Sequence, residues 1–220
     1  MIAEELISYE IPPLKPTDTG TKVLQWMEEF KVKDMAVVKS KKYVGIIEES
    51  DLLDRNNIAD RLESYTLNLK KPFVFKHQHI FDVIGLFVQH DVDVLPVLNE
   101  KEEYLGLITS KNILQHLADI VSVANPGSII TLELNMVDYS MTEISRLVES
   151  NDAKILASFI TSHPNSTKIE VTLKINQTDI SRVLQTFERF NYTITASYNE
   201  SDYHQDLKNR YDEFMRFLNP

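Results

Sequence analysis

Two short stretches carry polar groups that could hold a ligand. Thr109 and Asn112 stand three apart, just beyond the apolar run Tyr104-Leu105-Gly106-Leu107-Ile108, and Glu48 and Asp51 stand three apart just beyond Tyr43-Val44-Gly45-Ile46-Ile47. Each reads as a strand entering a helix through a polar corner. Such a corner brings backbone N–H groups, a hydroxyl and a carboxylate or amide to a helix N-terminus, a natural place for a small polar ligand. His77 and His79, at i and i+2, share one face of an extended stretch and with a nearby carboxylate could bind a metal. They also align with Thr17 and Thr19 at a helix entry, where a capping role is ordinary. His90, His116, His163 and His204 stand alone, and no nucleophile elbow or glycine-rich phosphate loop occurs among the five glycines. No constellation argues for catalysis; Glu48 and Glu49 with His77 or His79 come nearest.

The two corners belong to a longer duplication. Gly45 and Gly106 are 61 positions apart, while Met35-Ala36-Val37-Val38 lies 60 before Leu95-Pro96-Val97-Leu98, so the second hairpin holds one extra residue. The same step relates Val23 to Val83, Met27 to Phe87, and Pro12-Pro13-Leu14 to Pro72-Phe73-Val74. Two tandem copies therefore fill about the first half of the chain. In each, a helix (Val23, Met27, Phe30 on one stripe, capped by Asp18 or Thr19; Phe81 to His90 in the second copy) precedes a hairpin and a second helix. Trp26 lies off the stripe. Ile58, Leu62, Tyr65 and Leu69 keep helical spacing across the connector. Ile113, Leu117, Ile120 and Ala124 mark the buried face of the last helix, which Asn125-Pro126-Gly127 should stop.

Composition limits the alternatives. The chain has 220 residues, 43% of them hydrophobic, and a formal charge of −10, a field of the wrong sign for nucleic acid. With no cysteine there is no disulfide or thiolate metal site, which suits a reducing, cytoplasmic setting. No run is apolar and long enough for a membrane span or signal peptide.

Past Ser128 the pattern changes. Ile130, Leu132, Leu134 and Met136 alternate as a strand, and Ser140 with Glu143 forms a capping box ahead of Ile144, Leu147 and Val148. Strands through Ile155 to Ile160 and Ile169 to Ile175 flank a turn at His163-Pro164-Asn165; a helix over Asp179 to Phe190 and a strand from Tyr192 to Tyr198 follow. The order βαββαβ predicts a ferredoxin-like antiparallel sheet with two helices on one face. Tyr203, Leu207, Tyr211, Phe214 and Leu218 then form an aromatic stripe on a C-terminal helix that should dock on this chain or a second subunit.

The doubled hairpin–helix unit, with its glycine and its Thr/Ser-x-x-Asp corner, resembles a tandem pair of cystathionine β-synthase-type (CBS) domains. Residues 127–200 look like an ACT-type domain, through their topology and the run Asp138-Tyr139-Ser140-Met141-Thr142. That corner lacks the glycine of amino-acid-binding ACT domains, so pairing into a larger sheet fits better. The order of parts is similar to AcuB-like bacterial proteins. The fold expected is α/β (α+β): residues 1–66 as a first CBS repeat with linker helix, 67–126 as a second, 127–200 as the ACT-like domain, and 201–220 as an amphipathic helix.

The resemblance implies an adenosine-containing ligand (AMP, ADP, ATP or S-adenosylmethionine) in the cleft between repeats, the Thr/Ser touching phosphate and the Asp the ribose. Carried onto this chain, it gives Thr109, Asn112, Asp51, Pro96, Ile108 and Ile47 as ligand-binding residues. The match is incomplete: Glu48 stands where a hydroxyl belongs, Asn112 where an acid belongs, and Ala36 opposite Pro96. A carboxylate at Glu48 would repel phosphate, so the second corner is the better phosphate site. The expectation is a non-enzymatic regulatory sensor without a cofactor or metal, a homodimer acting on an unknown regulated protein, with no nucleic-acid or membrane partner. The alternative is a ligand-free oligomerisation or protein-interaction scaffold in which both corners are only helix caps.

Overall fold

The computed structural model describes residues 1–53, 58–64, 69–162, 164 and 166–198. The chain divides into two compact units, Met1–His116 and Leu117–Pro220. The expected C-terminal helix over Tyr203 to Leu218 lies outside the described residues, as do His163 and Asn165 of the expected turn.

In the first unit each repeat runs helix, strand, strand, helix. The first comprises α1 (Gly20–Phe30), β1 (Asp34–Lys39), β2 (Lys42–Glu48) and α2 (Glu49–Leu53). After a two-residue strand β3 (Val74–Phe75), the second comprises α3 (Ile80–His90), β4 (Val94–Leu98), β5 (Tyr104–Thr109) and α4 (Ser110–Ile120), the last of which runs past the unit's end at His116. The same chemistry punctuates both copies. Thr19 caps α1 by accepting the Lys22 N–H, and His79 caps α3 by accepting the Phe81 N–H. Both helices end on a left-handed residue, Lys31 or Asp91, whose N–H closes on Met27 or Phe87. Val23 and Met27, like Val83 and Phe87, are buried in one apolar cluster to which both repeats contribute. Trp26 is half-buried beside it with the Lys22 ammonium 4.1 Å from its ring centre.

The repeats complete each other's sheets. Leu14 lies parallel to Val37 of β1 as Val74 lies parallel to Val97 of β4. On the other edges, however, the segments cross over. Lys70, from the connector leading into the second repeat, bridges Ile46 of β2, while Ser8, near the N-terminus, bridges Leu107 of β5. The two duplicated glycines lie under these arms. A Cβ on Gly45 would sit 2.5 Å from Leu69 Cβ, and one on Gly106 would sit 2.4 Å from Ile7 Cγ2. Each glycine is there for close approach of a crossing arm.

Three expectations for this half need correction. Leu62–Ser64 forms a single 3-10 turn, with Leu62 buried, where a linker helix was expected; residues 54–57 and 65–68 lie outside the described set. Helix α4 ends at Ile120, before Asn125-Pro126-Gly127. Ser122 takes a left-handed φ of 56°, the Val123 N–H reaches Ala118 O and the Ser122 N–H reaches Asp119 O, a Schellman ending. Accordingly Ile120 and Ala124 are exposed.

The second unit has β6 (Ser128–Asn135), α5 (Met141–Glu149), β7 (Ile155–Ser162), β8 (Lys168–Ile175), α6 (Ser181–Arg189) and β9 (Thr193–Tyr198). Its sheet order, β7-β8-β6-β9 with every pairing antiparallel, is the ferredoxin-like arrangement. The alternating residues Ile130, Leu132, Ile169, Val171, Leu173 and Ile175 are buried against Ile144, Leu147, Val148, Val183 and Phe187. Met136 departs from its expected place in the strand. Pairing with β8 ends at Asn135, and Met136–Asp138 form an exposed 3-10 turn.

Candidate functional site

Both polar corners are helix caps. Thr109, only 8% exposed, accepts the Asn112 N–H at 3.1 Å through its hydroxyl oxygen and donates its hydroxyl hydrogen to Asn112 Oδ1. In the first repeat Asp51 Oδ2 accepts the Glu48 N–H at 2.9 Å. These are the two halves of a capping box, one kept in each repeat. Glu48 is itself paired: Lys70 Nζ lies 2.6 Å from its carboxylate, which holds the Lys70 ammonium above its ordinary pKa. The carboxylate expected to repel phosphate thus carries a counter-charge supplied by the crossing arm.

Between the corners lies a polar clasp. Asp34 opens β1 opposite Glu48, and Val94 opens β4 opposite Thr109. Asp34 is 3% exposed and accepts the Asp93 N–H at 2.8 Å and the Val94 N–H at 3.1 Å, while Asp93 accepts the Lys33 N–H at 2.8 Å. The symmetric bonds Glu49 N–H to Lys33 O (2.8 Å) and Ser110 N–H to Asp93 O (3.0 Å) tie each helix start to the clasp. Burial pushes the Asp34 carboxyl up to about 6; the two backbone N–H groups pull it down, and the Asp93 and Glu48 charges raise it further. Asp34 and Asp93 gave no motif in the sequence. The available signal was an acid immediately outside each aligned strand, out of register by one position.

Of the residues singled out in advance, the structure sets Thr109 with Asn112 and places Asp51 on the other side of the clasp. Ile47 and Ile108 are fully buried in the core and Pro96 is buried in β4. Ile47 and Ile108 thereby support the corners from beneath. His79 is spent on its cap, and His77 stacks on Phe75 at 5.9 Å with its Nδ1 3.9 Å from Glu100. Among the described residues no three histidines or carboxylates gather as a metal-ligand set. Nor is any described helix long and apolar enough to cross a membrane.

The chain is similar over about half its length to several solved structures. A CBS domain pair/ACT domain protein from Thermotoga maritima is 21% identical over 54% of this chain and 98% of its own, with a TM-score of 0.49. CBSX2, solved in complex with AMP, is 16% identical over 55% and 98%, with a TM-score of 0.47. The CBS domains of a transcriptional regulator from Streptococcus pneumoniae are 18% identical over 52% and 98%, with a TM-score of 0.45. Residues 67–119, which carry α3, the second hairpin and most of α4, match the CBS domain family.

Proposed function

We propose that the first unit is a regulatory, non-enzymatic module that binds an adenosine-containing ligand between its repeats, with the Thr109–Asn112 corner as the phosphate or ribose contact. The observation that carries this reading is the pairing of Thr109 with Asn112 at the start of the eleven-residue helix α4. There a hydroxyl hydrogen can turn from Asn112 Oδ1 to an incoming oxygen, leaving Asn112 Oδ1 to accept a ribose hydroxyl. The CBS-domain match over residues 67–119 supports the choice of ligand class. The acidic clasp bears on which adenosyl compound enters: Asp34, Asp93 and Asp51 favour a neutral or cationic group on the first-repeat side, with any phosphate on the Thr109 side. Binding would act by favouring one arrangement of the repeats. The second unit, ACT-like in topology, would serve dimerisation rather than amino-acid binding.

The test is a thermal-unfolding panel with adenosine, AMP, ADP, ATP and S-adenosylmethionine. A ligand at a hundred times its dissociation constant should stabilise by about 2.7 kcal/mol. A shift confined to adenosyl compounds and lost in Thr109→Ala is expected. The capping bonds at both corners favour a second reading, a ligand-free scaffold, which predicts a flat panel and an unchanged oligomer on adding nucleotide.

A further inference from the structure

At the opposite end of the hairpins from the corners, the two turns meet. Ser40 and Lys41 form a two-residue turn with φ of 48° and 68°, and the Tyr104 N–H donates to Lys41 O at 2.8 Å. Lys42 bridges Glu103 alongside. Beside this junction is a cavity of about 250 Å³ with Tyr43, Phe73 and Leu98 as its apolar part and Lys42, Lys71 and Lys101 around it. Glu102 is the acid in its lining. The three lysines come from three separate segments, a strand, the connector and a turn.

Each of those segments is fixed. The Tyr43 hydroxyl donates to Pro72 O at 2.9 Å, tying the first hairpin to the residue between Lys71 and Phe73. Asn99 Oδ1 accepts the Lys101 and Glu103 N–H groups, both at 2.9 Å, and Asn99 Nδ2 holds the Glu103 carboxylate at 2.8 Å. A carboxylate that could have neutralised the cluster is thus turned onto an amide. Neighbouring lysines are neutralised: Lys70 by Glu48, and Lys76 by Glu100 at 3.6 Å. Among the described residues Lys42, Lys71 and Lys101 have no such ion pair, in a chain whose 33 acids outnumber its 23 Lys and Arg.

From this arrangement we infer that the cavity between the two hairpin turns binds a small phosphate monoester, its phosphoryl group held by Lys42, Lys71 and Lys101 and its apolar part against Phe73 and Tyr43. Lysine suits the role, because three rotatable ammonium donors surround a tetrahedral dianion without needing a planar, bidentate geometry. The volume suits a small ligand, since 250 Å³ lies below the roughly 300–1,000 Å³ of sites for drug-sized molecules. The site is independent of the Thr109 corner, which lies at the far end of β5.

The experiment is titration of the full chain with phenyl phosphate, inorganic phosphate and benzoate at low and high salt, followed by amide NMR shifts and calorimetry. Phenyl phosphate is expected to bind more tightly than inorganic phosphate, to shift the Lys42, Lys71 and Lys101 amides, and to weaken as salt rises. Lys71→Gln with Lys101→Gln should weaken it at least tenfold and Phe73→Leu severalfold; the exposed Lys31→Gln serves as control. Equal binding of benzoate would overturn the phosphate assignment. Absence of saturable binding at millimolar phenyl phosphate, or binding indifferent to the lysine substitutions in variants that melt as the parent does, would overturn the site.

Discussion

Asp34 and Asp93 hold the two repeats together through reciprocal bonds: Asp34 accepts the Asp93 N–H at 2.8 Å, and Asp93 accepts the N–H of Lys33, the residue before Asp34, at 2.8 Å. Because Asp34 is buried, the clasp costs free energy when that carboxyl ionises. Its folded pKa of about 6 lies above the ordinary 3.8, so its favourable contribution is complete below about 3.8 and is lost as pH rises through about 6. Asp93, Glu48, Tyr43 and Lys70 are the titratable groups coupled to it. Relative to Asp34→Asn, the parent should lose about 3 kcal/mol of unfolding free energy between those limits. Denaturant titrations at pH 4 and pH 7 measure the difference; a pH-independent gap would contradict the assignment.

The glycines should rank by what their added methyl meets. Gly127→Ala places Cβ 2.0 Å from the Ile175 carbonyl oxygen, a backbone atom that cannot turn aside. Gly45→Ala meets Leu69 Cβ at 2.5 Å, an atom that only backbone movement can shift, whereas Gly106→Ala meets the Ile7 Cγ2 methyl at 2.4 Å, which a change of χ1 can swing aside. The destabilisation should fall in that order, with the first above about 3 kcal/mol and the last near 1. Combining Gly106→Ala with Ile7→Ala should recover part of the loss, which chemical denaturation of the single and double variants will show.

Thr109 has a structural task besides any ligand. Thr109→Ala removes the cap of α4 and should cost about 1 kcal/mol of stability without ligand, while Thr109→Ser should cost only a few tenths. If the corner also binds an adenosyl group, the Ser variant keeps affinity and the Ala variant loses it. Calorimetry on both separates capping from binding.

In the second unit Asn151 joins the helices. Its Nδ2 donates to Leu147 O at 2.9 Å and to Thr186 Oγ1 at 3.1 Å, and Thr186 donates to Arg182 O at 2.9 Å. Asn151→Ala should cost about 1–2 kcal/mol because it leaves Thr186, 7% exposed, short of a partner. A melting curve of the variant tests this.

What could be read in the sequence was what is local or repeated. The step of sixty set Met35 against Leu95 and gave both hairpins, and the alternation of Ile169, Val171, Leu173 and Ile175 gave β8. Long-range relations gave no such signal. Gly45 and Gly106 stood out as a matched pair, yet their purpose depends on Leu69 and Ile7, which arrive from the opposite repeat. Asp34 is one acid among 33 until its burial is known. Helix α4 ends where Ser122 adopts a left-handed conformation, a choice serine does not advertise, and the later Asn-Pro-Gly misled.

The crossing arms also set an order of events in synthesis. The residues around Ser8 leave the ribosome early, but the strand edge they cover, at Leu107, is made about a hundred residues later. A nascent chain ending within the second hairpin must keep that arm unpaired, and the first hairpin likewise waits for Lys70. Closure of the second edge therefore comes late, after that of the first. The stretch 67–119, expressed by itself, would lack the lid over Gly106 and present a bare strand edge to its neighbours.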